Sequence, residues 1–424
     1  MKKIAFLVFG IIIGSFSMFF YNYLTNSNDS YENVNNNEVI RYNDTISMML
    51  ETEAGSGNYK MTTANGWPTD GYVFNTILSK CENGGELSWD DTNKRVLMSG
   101  NVSDKCYVYF DVYVPPTVVS DVCNGGETLS TCITTLSQNS TSSYTNIYHH
   151  DSALDNGAGD NSYRYAGANP NNFVCFGTNT TPCPTDNLYR IIGVFGNQVK
   201  LIKYDYATSA LLGTDGDYKG TGTPNASYYK GSLTTINTYY WNKATSKNTW
   251  SESNLNKVNL NTNFINNIRS EWAAKIAETT WKVGGNTWAN IDNQPAKTAY
   301  QNEIVSPVTK NTTDNATTYS AKVGLMYASD YGFAAAPSAW TANLNTYNGE
   351  AIKNVNWMYM GLEEWTISRD SDYSSIAFDV SYTGIVGSGS ISNDAFGARP
   401  VFNLTSSVTY VEGNGTKNSP IYIN

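Results

Sequence analysis

Histidine is nearly missing from this chain. Two of its 424 residues are His, and the two are neighbours, His149 and His150. A catalytic or metal centre assembled from several imidazoles is therefore excluded. Charge is scarce too: Asp, Glu, Lys and Arg together make up 15% of the residues. The 27 basic side chains are outnumbered by 37 acidic ones, a net charge of −10, so the basic footprint of a nucleic-acid binder is absent. No Cys-x-x-Cys pair occurs, which removes the common zinc arrangements, and no Gly-x-Ser-x-Gly elbow surrounds a candidate nucleophile. A long internal repeat is lacking as well. Aromatic residues are plentiful: 31 Tyr, 15 Phe and 10 Trp, which excludes a disordered chain. The length suits two or three compact domains.

One long apolar run is present, Ile4 to Phe20, directly after Met1-Lys2-Lys3. A stretch of about 20 residues spans a hydrocarbon core. The lysines precede the run and the next basic residue is Arg41, which places the N-terminus in the cytoplasm and the rest outside. Residues 1–24 are accordingly read as a signal anchor or transmembrane helix. A cleaved signal peptide, leaving a secreted chain, is the alternative, although no small-x-small cleavage site follows the run. The six cysteines agree with export. An even number in an extracytoplasmic chain suggests disulfides, and sequential pairing is the economical choice: Cys81–Cys106, Cys123–Cys132 and Cys175–Cys183.

Beyond the run, residues 25–57 are rich in Asn and Ser and read as a spacer, with a short amphipathic piece from Thr45 to Leu50. Residues 58–114 read as a small disulfide-braced β module. Its strand candidates are Tyr72–Phe74, Leu87–Trp89, Arg95–Met98 and Cys106–Val112, and Pro115-Pro116 marks a boundary. In residues 117–424 the clearest hairpin is Tyr189–Phe195 with Val199–Tyr204 around a Gly196-Asn197 turn. Three helical pieces follow, one capped by Ser251 or Ser253 and running to Leu260, then Asn263–Ile268 and Glu271–Ala277. Strands return at Ala321–Tyr327, Glu364–Ile367, Ser375–Val380 and Pro400–Leu404. Helices between two groups of strands indicate an α+β fold.

Several local signatures then appear in order. They are GAGDNSYRYAGANPNNFVCFG at 157–177, CPTDNLYRIIGVFGNQVKLIKYDYA at 183–207, VGLMYASDYGFA at 323–334 and GARPVFNLTSSVTYVEGNGTKNSPIYI at 397–423. Together they resemble a family of uncharacterised exported proteins of low-GC Gram-positive gut bacteria. The stretch at 67–111 resembles a module that recurs beside such domains. The resemblance implies a C-type-lectin-like domain, related in shape to formylglycine-generating enzymes and to retroelement-diversified receptors. The expected fold class is thus α+β: a C-type-lectin-like C-terminal domain preceded by a small all-β module and an N-terminal transmembrane helix. No activity carries over from the family, and fold analogy cannot supply one.

Candidate chemistry is thin. Calcium needs about six to eight oxygen ligands. The richest oxygen segment contains Asp151, Asp155, Asn156, Asp160 and Asn161, and a second is Asp215-Gly216-Asp217. Asp151, Asp155 and Asp160 are the candidate ligands of a structural calcium, and no other cofactor is expected. A solvated Asp/Asn/Gly turn is the plainer reading. The sugar-binding signatures of calcium-dependent lectins are absent, Trp241-Asn242-Lys243 coming nearest. His149 and His150 precede Asp151 in a polar stretch, without a triad pattern. Glu363, Glu364, Asp370 and Asp372 supply acids, but adjacency in sequence does not make a facing pair. A buried Arg399 would need a carboxylate, with Glu364 and Asp379 as candidates. Trp357, Trp365 and Phe378 are expected mainly in the core.

Tyr, Trp and Asn in loops make adaptable recognition surfaces. The stretch from Ala336 to Trp357 has that composition, as does Tyr228 to Trp250. Trp340, Asn343, Asn345, Tyr347 and Trp357 are the candidate ligand-binding residues. The expected function is non-enzymatic recognition or adhesion by a membrane-anchored extracellular surface protein, its partner a glycan or a protein. A structural component of the envelope or of a surface appendage is the alternative, and an enzyme on a formylglycine-generating-enzyme-like scaffold is a further one.

Overall fold

A computed structural model describes residues 46–62, 66–68, 70–100, 104–113, 117–140, 142–307 and 316–424. The apolar run from Ile4 to Phe20, residues 25–45 of the spacer and the Pro115-Pro116 boundary lie outside these residues. Among the described residues no helix is long and apolar enough to cross a membrane. The chain divides into two compact units, residues 1–115 and 116–424.

The smaller unit grows from alternation. In Cys106–Val112 the residues Cys106, Val108 and Phe110 are buried, and in Ile46–Glu51 so are Ile46 and Met48. A two-residue period puts one face of each strand against a core. The two strands pair in parallel, Met48 opposite Val108. Tyr59–Met61 extends the sheet on one side, while Tyr72–Phe74 and Lys80–Cys81 pair with the other edge of Cys106–Val112. A separate hairpin, Glu86–Asp90 with Arg95–Ser99, brings Val96 and Trp89 onto Phe74 and Phe110. The Trp89 and Phe110 rings meet edge to face at 5.4 Å. Cys81 and Cys106 are direct cross-strand partners and are disulfide-bonded. The spacer boundary at residue 57 needs correction, because Ile46–Glu51 is an integral strand of this sheet. The amphipathic piece noted at Thr45 to Leu50 is, from Ile46 on, this strand, which belongs with the β module and not with the spacer.

The larger unit is organised on a seven-stranded sheet. Its path runs Val323–Gly324, Val401–Asn403, Gln198–Lys203, Leu188–Phe195, Tyr163–Tyr165 and Ile147–His149, with Phe173–Cys175 also paired to Leu188–Phe195. The central hairpin turns at Gly196-Asn197, with Phe195 opposite Gln198. Its strands are buried on both faces, as a central pair should be. Gly193 sits at the bulge in this hairpin, where a side chain would collide with the Tyr163 carbonyl. The strand expected over Ala321–Tyr327 shrinks to Val323–Gly324, and Tyr327 instead precedes the helix Ala328–Ala334. A disulfide links Cys123 to Cys132 on the helix Leu129–Asn139, and another links Cys175 to Cys183.

The expected fold class is corrected here. Of the described residues 32% are in strands and 20% in helices, and the strands are distributed among seven sheets, five of them of two or three strands. Helices are mostly single turns between strands, the longest α-helix being the 11 residues Leu129–Asn139. The described residues contain no membrane-spanning helix, and in place of one α+β layer arrangement they form many small sheets in which strand outweighs helix. The physical reason lies in the asparagines. Between 256 and 263 their side-chain amides bond backbone carbonyls of other segments, as Asn259 Nδ2 does to Leu212 O at 2.8 Å and Asn261 Nδ2 to Val323 O at 2.9 Å. Side-chain amides that replace backbone ladders allow short, irregular elements to pack.

Candidate functional site

Beside the central sheet of the larger unit lies a cleft of about 460 Å³. Its floor follows from strand pairing. Phe173 and Arg190 are direct partners in adjacent antiparallel strands, so their side chains share a face. The Arg190 guanidinium lies 4.4 Å from the Phe173 ring centre and 4.5 Å from that of Trp357. Trp357 reaches this place because its indole donates to Tyr165 O at 2.8 Å and its backbone N–H to Gly167 O at 3.0 Å. Arg190 Nε donates to Asn172 Oδ1 at 2.7 Å, Nη1 to Trp357 O at 3.3 Å and Nη2 to Pro170 O at 3.1 Å.

The rim comes from distant segments. The turn carrying Thr416 and Lys417 closes on the loop at Asn171, where Gly415 has φ +83° and a side chain would strike the Asn171 carbonyl. Lys417 Nζ donates to the Tyr204 hydroxyl at 3.1 Å and sits 4.7 Å from that ring, which in turn lies 5.3 Å from Phe173. Lys353 ends a single helical turn and pairs with Glu350 at 2.5 Å. Lys230, Asn354 and Tyr359 complete the rim. The hydrogen bond that it donates to Glu350 holds the Lys353 ammonium above its usual range. Burial pulls Arg190 down to about 9, which leaves it charged at neutral pH.

The sequence-selected ligand residues divide. Trp340 and Tyr347 are core: the Trp340 indole donates to Ala335 O at 2.9 Å, and the Tyr347 hydroxyl donates to the carbonyls of Gly332 and Ala339. They face inward because each supplies the donor that satisfies a buried carbonyl. Asn343 and Asn345 are half-buried, the latter bonded to Asn293, and neither lines the cleft. Trp357 lines it, although its ring is largely covered. In the Tyr228 to Trp250 stretch, Trp241 and Trp250 are packed on each other at 5.0 Å in the core. Arg190, Phe173, Tyr204, Tyr359 and the three lysines were not foreseen. Arg190 had a signal, an arginine inside the otherwise apolar strand LYRIIGVF.

The calcium candidates do not converge. Asp160 is bound by Arg164 at 2.6 Å and by the Ser162 hydroxyl at 2.5 Å. Asp151 accepts from the backbone N–H groups of Ala153 and Leu154 and lies 3.4 Å from His149. Asp155 belongs to the turn that follows. Among the described residues, the groups of acidic and cysteine side chains close enough to share an ion are Cys81, Asp104 and Cys106, and Cys123, Glu127 and Cys132. Both contain a disulfide, whose sulfurs are not thiolate ligands.

Titratable groups elsewhere are used structurally. His150 is buried, accepts from Ala158 N–H at Nδ1, and is pushed down to about 2 by burial, with Arg164 adding to the effect. Arg399 meets Glu364 at 2.7 Å, one of the two partners anticipated. Lys200 and Arg164 both contact Asp330, at 2.5 and 3.4 Å. Glu303 accepts from the N–H groups of Ala328 and Ser329 at the start of a helix and from the Ser368 hydroxyl. Burial nevertheless pushes it up to about 7. Glu363, Glu364, Asp370 and Asp372 are not among the residues lining the cleft. Compared with protein-family models, with curated proteins and with solved structures, the chain matches none.

Proposed function

We propose that this chain is an exported envelope protein, retained at the membrane, that recognises an extracellular glycan or protein without chemically transforming it. The observation that supports this is the cleft around Arg190. Its walls offer ring surfaces, side-chain amides and cations, the mixture that orients a polar ligand against partly apolar surfaces. Three disulfides agree with an oxidising compartment. The resemblance to exported proteins of Gram-positive gut bacteria points the same way.

The test is a screen of the full-length, disulfide-intact chain against glycan and host-protein arrays. Lys417→Ala and Asn354→Ala, both at exposed rim positions, are run in parallel. Saturable binding that weakens by about tenfold in the rim variants is the expected outcome. A folded chain that binds nothing, or whose binding ignores the rim changes, would rule the reading out.

A further inference from the structure

The ligand's chemistry can be taken further, resting on the reading of the cleft as a binding site. Arg190 is 6% exposed, and its three acceptors in the protein are all neutral: Asn172 Oδ1 and the carbonyls of Trp357 and Pro170. A guanidinium has five N–H donors. One on Nη1 and one on Nη2 therefore remain without an acceptor among the described residues. Withdrawing a charge from water without an opposite charge is costly. Arg164 and Arg399 meet that cost with Asp160 and Glu364. Arg369 also lacks a carboxylate bond, but it is enclosed at 1% exposure, whereas Arg190 opens onto the cleft.

The wider cleft has the same bias. Arg190, Lys230, Lys353 and Lys417 line it and no Asp or Glu does, in a chain whose net charge is −10. A recess lined by one sign of charge focuses the field on an incoming ion of the other sign. Of the lysines, Lys353 is already engaged by Glu350, which leaves Lys230 and Lys417 as the exposed cations at the rim. Side-chain amides, which donate and accept at once, match sugar hydroxyls, and ring surfaces take the C–H face of a pyranose. We infer that the cleft takes a negatively charged sugar, its carboxylate or sulfate bonded by Arg190 and drawn in by Lys230 and Lys417.

The experiment uses the full-length chain with its disulfides intact. Uronic-acid, sialic-acid and sulfated oligosaccharides are arrayed beside their methyl-esterified or desulfated counterparts and beside glutamate-rich peptides. An acidic sugar is expected to bind about tenfold or more tighter than its neutral counterpart, the advantage shrinking as NaCl is added. The ester comparison needs no substitution, so it stands even if Arg190→Lys folds poorly. Lys230→Gln/Lys417→Gln, changing exposed side chains only, should remove most of the advantage. Comparing carboxylated with sulfated members separates the two sources of charge. Equal binding of acidic and neutral sugars would overturn this inference and leave the recognition cleft standing. Binding of the peptides alone would overturn the sugar class, and binding of nothing would overturn both readings.

Discussion

Arg190 and Arg399 are both buried in the larger unit, and their surroundings separate structure from function. Arg399 bonds Glu364 and the Met358 carbonyl, so its charge is neutralised inside the protein. Arg190 is stacked between two rings and bonded only to neutral acceptors, the arrangement on which the proposed acidic-sugar site rests. The need of Arg399 for an acid was legible in the sequence, since an arginine next to Pro400 and an apolar strand has to be neutralised. Two other groups set a pH dependence. Burial pushes Asp379 up to about 7, with Glu363 and Asp394 adding to it, and burial pushes Glu303 up to about 7. In the unfolded chain both return to ordinary carboxylate values, near 4. Between roughly pH 4 and 7 the folded chain holds protons that the unfolded chain has lost, so stability falls as pH rises through that window. Asp379→Asn should therefore flatten the decline and leave the variant more stable than the parent at pH 8, by at most about 4 kcal/mol. Urea unfolding at pH 5 and pH 8 checks it; an unchanged difference between the two pH values would refute it.

At the scale of elements, the chain reads best where backbone partners are local. The hairpin of Leu188–Phe195 and Gln198–Lys203 was legible because a Gly-Asn turn separates two apolar segments. The helical segments after Ser253 were legible in position but not in kind. Residues 255–264 wind as a π-helix. Its buried apolar residues, Leu255, Leu260 and Phe264, lie five and four apart, a spacing that suits i→i+5 winding better than the 3.6-residue α period. What holds the segment is Asn259, whose Oδ1 accepts from Asp217 N–H at 3.0 Å while Nδ2 donates to the carbonyls of Leu212 and Asp215. Its side chain is fully buried. Asn259→Ala would leave the buried Asp217 N–H without its acceptor, at about 1–3 kcal/mol, and take one of two donors from each of the Leu212 and Asp215 carbonyls. A stability loss of at least about 2 kcal/mol is expected in thermal or urea unfolding, with the largest gain in hydrogen exchange at residues 212–217. A loss under about 0.5 kcal/mol, the range of ordinary surface changes, would show that these bonds are replaced by water.

Across the whole molecule, the cores of the two units differ in size. The larger unit packs most of the buried Trp and Tyr, whereas the smaller relies on Ile46, Met48, Trp67, Phe74, Val96, Val108 and Phe110. A core that small is marginal, and the Cys81–Cys106 bridge, spanning 25 residues, compensates. Replacing both cysteines by Ala should destabilise the smaller unit by about 3 kcal/mol through the freed unfolded chain. Hydrogen exchange read by mass spectrometry should show faster exchange in residues 46–113 and no change in 117–424. Uniform change across both units would mean that they unfold together, against this expectation.

Sequence alone determined the features whose partners are close in the chain. The cysteine pairs are separated by 25, 9 and 8 residues, so local loop closure favours them and the structure forms them. The central hairpin and the strands Tyr72–Phe74 and Cys106–Val112 follow from local pattern for the same reason. Only tertiary structure decided the cleft, which draws Phe173, Arg190, Tyr204, Trp357 and Lys417 from separate segments. It also decided that Trp340 and Tyr347 turn inward, and that the strands are divided among many small sheets. Composition states that a loop is aromatic and polar. Which of its side chains meets solvent is set by the carbonyls and rings that distant residues bring against it.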